Sequence, residues 1–251
     1  MTKKPRIAFF EKEVGAGVEM AKERGVRFQE IFFDNLEEAM RAVAENRAEA
    51  LVGGISCPTR DVILAARDIV GMKDATFSGS FVMRRDDEVY VLGDCAACKH
   101  PNEAQLVDII LQTFETAKKI VDEPRAAVLS FSTLGSGGKD DSIDVIRSAI
   151  KKVQKIEPDM MIDGEMQLDA AIDKRVAQKK MAKSKVAGQA NVLILPDLNS
   201  GNILYKAMER FGGFSAAGPI LQGFERPIAD LSRGATAEDV ALTFETILKL
   251  V

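Results

Sequence analysis

Cysteine and histidine are scarce in this chain, three and one among 251 residues, and the scarcity removes whole classes of chemistry. Three cysteines, Cys57, Cys95 and Cys98, are too few for a disulfide framework. Cys95-Ala-Ala-Cys98 followed by His100 invites a zinc or redox reading, but one CxxC with a distant third cysteine is a poor ligand set, and no metal site is expected. A buried structural thiol is the plainer role for Cys98. Long apolar runs are also missing: none approaches the ~18–20 residues of a membrane span. The first residues lead into a strand-like Ile7–Phe10 instead of a signal-peptide core. The expectation is a cytoplasmic protein with no membrane partner. A net charge of -4 and a pI near 5.3 supply no general attraction for nucleic acid, so none is expected as a partner.

What is present is ordinary globular material, 46% hydrophobic and 29% charged, in a chain long enough for one large domain or two small ones. Short apolar runs at Arg6–Phe10, Phe28–Phe33 and Glu49–Val52 alternate with helical periodicity at Gly15–Glu23 and Leu36–Ala44, which predicts parallel β-α units. Pro58-Thr59-Arg60-Asp61 opens a helix that Gly71 stops. Thr76–Met83 and Glu88–Leu92, joined by Arg84-Arg85-Asp86-Asp87, predict an antiparallel hairpin, and the change of order places a boundary near Lys73–Ala75. Asn102–Val121 is the longest amphipathic stretch. Ala126–Ser130 and Met160–Asp163 predict strands around a helix at Ser142–Val153.

The last third is the most informative. Val192–Leu195 predicts a buried strand closed by Pro196-Asp197, Asn199-Ser200-Gly201 cap a helix that ends at Gly212-Gly213, and Ala216–Leu221 is a second strand ending in Gln222-Gly223. This predicts a β-α-β unit. PDLNSGNILYK (Pro196–Lys206), GPILQGFERPIADLSRG (Gly218–Gly234) and DGEMQLDAAI (Asp163–Ile172) resemble the phosphate acetyltransferase family, in the family's order. The resemblance is strong from about Asp94 onward. It implies an α/β fold of two open, mostly parallel lobes with a cleft between them, an isocitrate/isopropylmalate dehydrogenase-like architecture. Residues 1–74 with 219–251 would form the first lobe, shortened relative to the family, and 75–218 the second.

The resemblance also implies an activity, acyl phosphate + coenzyme A = acyl-CoA + phosphate, acetyl being the default, with coenzyme A as a substrate, no separate cofactor, and a homodimer. It matches Asp239 to the base that takes the thiol proton, and Ser232 and Arg233 to the groups holding phosphate and acyl oxygens. It places Cys95 at the cleft edge and the loop of Ser132, Thr133 and Gly135 at the phosphate end. Asn202 and Gln222, with Asn199, fall in matching loops. Each has a plainer reading. Thr236-Ala-Glu-Asp239 fits a capping box, Ser132–Lys139 lacks P-loop spacing and fits a simple turn, and Asn199, Asn202 and Gln222 fit structural caps. The basic tract Asp173–Lys185 reads as a solvated helix face or as an attractor of coenzyme A phosphates. The chain departs from the family where it has Leu134, Leu64 and Cys57 in place of a lysine, an arginine and a histidine. Arg60, one turn before Leu64, is the candidate replacement for that arginine. These departures keep a second class open, a coenzyme A-binding or regulatory homologue without turnover.

Overall fold

The computed structural model describes residues 4–251. In chain order its elements are β1 (Arg6–Phe9), α1 (Gly15–Glu23), β2 (Gln29–Phe32), α2 (Leu36–Ala44), β3 (Ala50–Gly53) and α3 (Thr59–Ala65), which continues as a π turn over Ala66–Val70. There follow β4 (Ser78–Arg85), β5 (Glu88–Gly93), α4 (Glu103–Ile120), β6 (Ala126–Leu129), α5 (Asp141–Ile156), β7 (Ile162–Met166), α6 (Leu168–Ile172) and α7 (Lys174–Lys180). The last are β8 (Val192–Ile194), α8 (Leu198–Arg210), β9 (Ser215–Gln222), β10 (Ile228–Asp230) and α9 (Ala237–Ile247). Among the described residues, no helix is long and apolar enough to cross a membrane.

All ten strands join one sheet in the order β2-β1-β3-β10-β9-β4-β5-β8-β6-β7. Strands β5 to β9 run one way and β1 to β4 with β10 the other, so the sheet is parallel at both ends and antiparallel across β10, β9, β4 and β5. The predicted hairpin at β4–β5 is present, with its turn narrowed to Asp86-Asp87 because Arg84 and Arg85 pair with Val89 and Glu88. β8 and β9 are parallel and joined through α8, but β5 and β4 lie between them, so the predicted β-α-β unit is a wide crossover instead of a pair of neighbours. β9 spans residue 218 and pairs with β4 on one side and β10 on the other. The three-residue β10 was not legible, being too short for an apolar period and carrying an acid at its end.

Helices cover both faces. Side chains of α1 and α9 meet Ile220 and Ala229, and those of α4 and α5 meet Val82 and Ala217, on one face. On the other, α2 and α3 pack on Leu51, Leu221 and Ile228, while α6, α7 and α8 pack on Phe81, Met83 and Leu193. A bulge between Ser80 and Val82, where β9 carries one residue more than β4, keeps these faces continuous.

Helix starts follow cap chemistry. Asn35 accepts from the Glu38 amide, and Asn102 and Gln105 form a reciprocal box. For α8 the cap is Asp197, which accepts from the Ser200 amide at 2.8 Å, and not the Asn199-Ser200-Gly201 group. Gly201 serves close packing instead: a Cβ there would stand 2.2 Å from the Asp94 carbonyl oxygen.

Candidate active site

The alternation of β10 sends Ile228 and Asp230 to the face of α2 and α3, and Ala229 and Leu231 to the face of α1 and α9. Beyond the strand's last residue, Asp230, come Leu231, then Ser232, half-buried, and Arg233, exposed, in the turn that leads to α9. There the predicted capping box is present. Thr236 accepts from the Asp239 amide at 3.2 Å, while Asp239 Oδ2 accepts from the Thr236 amide at 2.8 Å and its hydroxyl at 2.7 Å. Oδ1 of Asp239 accepts from the Ala216 amide at 2.8 Å, which ties α9 to β9. Asp239 is thus buried with both oxygens engaged. Replacing it with asparagine is expected to cost about 1–2 kcal/mol and to lower Tm by roughly 2–4 °C per kcal/mol, read by thermal melting. An unchanged Tm would remove its structural role.

The glycine loop is built around a different carboxylate. β7 bulges at Glu165, because Val128 pairs with Gly164 and Leu129 with Met166. The bulge aims the Glu165 side chain at the loop, where it accepts from Ser132 Oγ at 2.9 Å, the Gly135 amide at 2.7 Å and Arg147 Nε at 2.7 Å. Burial pushes the Glu165 carboxyl up, but Arg147, the Gly135 amide and the Ser132 hydroxyl outweigh it and hold it below the usual range. The loop closes on itself as well. The Gly137 amide donates to Ser132 Oγ, the Thr133 amide to Ser136 Oγ and the Gly138 amide to the Gly135 carbonyl. Its amides therefore serve the loop and Glu165, not an open cradle. Thr133 is buried against Gln167, while Leu134 stands exposed at φ 47°.

Cys95 and Cys98 wrap a third buried acid. Asp94 accepts from the amides of Gly79, Ala96, Ala97 and Cys98. Cys95 is a free, buried thiol pushed well up by desolvation and then by the Asp94 charge. The loop lies on the α2, α3 and α8 face, since a Cβ on Gly79 would meet Ala96 and Pro219. Arg60, exposed in the first turn of α3, and Asn202, half-buried on α8, belong to elements of this same face. Gln222 does not. It points into the opposite face, donating to the Gln112 carbonyl at 3.0 Å and Thr116 Oγ1 at 2.6 Å and accepting from Ser78 at 2.9 Å, an interior network that leaves little for substrate. The cations of the basic tract are all exposed, Lys180 pairing with Asp169 at 3.0 Å and Arg175 with Asp173 at 3.5 Å.

Two acids the sequence reasoning passed over lie beside β3. Glu11, buried just after β1, accepts from the amides of Gly54 at 2.6 Å, Ile55 at 3.1 Å and Ser56 at 2.6 Å, and so pins the turn that leads into α3. Asp230 sits across from it beneath Gly54. The available signal was an acid inside the apolar run Ile228–Leu231.

With this geometry, residues 4–246 match the family described as phosphate acetyl/butaryl transferase. The chain belongs to that family. It is 41% identical over 245 residues to a phosphate acetyltransferase of Helicobacter pylori, covering 95% of this chain and 47% of the relative, so it spans about half of that protein's length. It is 40% identical to a Bacillus subtilis phosphate acetyltransferase over 93% of this chain and 71% of the relative. A crystal structure of a phosphotransacetylase from Streptococcus pyogenes superposes over all of this chain and 94% of the other, with a TM-score of 0.84 at 32% identity. The fold is therefore the family's α/β fold, with its large sheet.

Proposed function

We propose that the chain transfers an acyl group, acetyl by default, between phosphate and coenzyme A. The observation that carries this is the family match over 4–246 together with Ser232-Arg233 in the turn after β10 and Asp239 in the first turn of α9. In the proposed step the coenzyme A S–H gives its proton to Asp239, the thiolate sulfur bonds to the acyl carbon of an acyl phosphate, and the C–O bond to phosphate breaks. The thiol can take the place of the Thr236 hydroxyl on Oδ2, a swap of one donor for another that leaves the two amides in place. Arg233 suits the phosphate because its planar guanidinium donates two parallel hydrogen bonds, with the Ser232 hydroxyl beside it. No cofactor beyond the two substrates enters this chemistry.

The test is direct: acetyl phosphate and coenzyme A are mixed with the protein and thioester is followed. Thioester accumulating in proportion to protein supports the reading. No thioester, with a coenzyme A-dependent rise in Tm, would assign the chain to binding without turnover.

A further inference from the structure

Among the described residues five acids are buried, and four of them are well served with donors. Glu11, Asp94 and Glu165 each accept four hydrogen bonds and Asp239 three. The fifth, Asp230, is wholly buried and neither carboxylate oxygen accepts a full hydrogen bond, the Thr59 hydroxyl approaching the carboxyl without closing one. A buried charge left this way is costly, so the group favours its neutral form unless a donor arrives.

Its surroundings sharpen that. Gly54 lies over it at φ 110°, so close that a Cβ would stand 2.1 Å from Oδ1. From just after β1 the Glu11 carboxylate faces it, from the first residue of α3 comes the Thr59 hydroxyl, and from the turn before α3 the Cys57 thiol, itself pushed up to about 11 by burial and by Glu11, Asp230 and Asp61. In the sheet Asp230 pairs with Gly53 of β3, and the β9 residues that pair with its strand, Ile220 and Leu221, carry no charge. Among the described residues no lysine or arginine pairs with it. Burial, opposed by Thr59 and reinforced by Glu11, raises its carboxyl to about 7.

Asp230 is also two residues from Ser232, within about 7 Å along the backbone. A negative charge there, buried away from water, would act strongly on an anion held by Ser232 and Arg233. We propose that Asp230 couples anion binding at Ser232-Arg233 to one proton, the site accepting a phosphate-class anion when Asp230 is a neutral acid and rejecting it when Asp230 is charged. The coupling rests on the anion placement proposed above. It makes Asp230 a positioning residue acting through charge, not a group that touches substrate.

Sulfate is the probe, because unlike phosphate it does not titrate near neutrality. Calorimetric titration of the whole chain should give a sulfate Kd that is flat well below pH 7 and weakens above it, approaching tenfold per pH unit. Asp230→Asn should bind with little pH dependence over the same range. By reciprocity, saturating sulfate should raise the midpoint of the Asp230 carboxyl in the wild-type protein, read by carbon NMR, and this needs no variant to fold. A flat wild-type profile, an Asp230→Asn profile as steep as wild type, an unmoved midpoint, or no sulfate binding would each overturn the proposal. Thioester formation separates the two readings. Turnover with a flat sulfate profile sinks the proton coupling alone, and a proton-coupled sulfate site without turnover sinks the transferase reading alone.

Discussion

Arg233→Ala is expected to slow thioester formation from acetyl phosphate and coenzyme A by about 10²–10³-fold, the usual cost of removing one donor that meets developing oxyanion charge. The side chain is exposed at the turn between β10 and α9 and has no ion pair among the described residues, so the substitution should leave Tm within the range of ordinary surface changes, about ±0.5 kcal/mol. Arg233→Lys keeps the charge and loses the planar fork, and should fall between wild type and alanine. Initial rates at saturating coenzyme A decide this. An alanine variant within threefold of wild type would take Arg233 out of the chemistry.

The second large effect is on stability. Glu165→Gln should destabilise the chain by about 2–3 kcal/mol, less than a fully buried pair because the Arg147 side chain reaches water at 39% exposure while Glu165 is at 1%. The expected fall in Tm is roughly 5–10 °C. The pH dependence has a definite sign. The folded carboxyl lies below its ordinary value, so its contribution is in full force above the unfolded value near ~4.3 and disappears as pH falls through the folded one. The gap in Tm between wild type and variant should therefore close in acid. Equal Tm values at pH 7 would show that the glycine loop does not depend on this carboxylate.

Most elements could be read from the chain because their signals are local. α1 and α2 begin and end where the apolar period places them, and the Thr236–Asp239 box is present as spaced. The partners of the site were not legible because they are distant in sequence. Glu165 meets Ser132 across 33 residues and Glu11 meets Gly54 across 43, and no period or motif encodes such pairings. The glycine loop reads as an anion cradle until the bulge at Glu165 supplies an internal anion. Gln222 reads as a turn residue because the spacing does not reveal Gln112 and Thr116 one layer away. Asp230 stands apart only through the burial of both its oxygens, which no local pattern encodes.

A sheet of ten strands that does not close on itself leaves two margins, β2 and β7. β2 is four residues long with Gln29 and Glu30 exposed, Glu30 paired to Lys22, and β7 carries the bulge at Glu165. Short, charged or bent borders offer poor templates for another chain's strand. Copies of this protein are thereby steered away from end-on ribbon growth, and any assembly they form is left to the helical flanks.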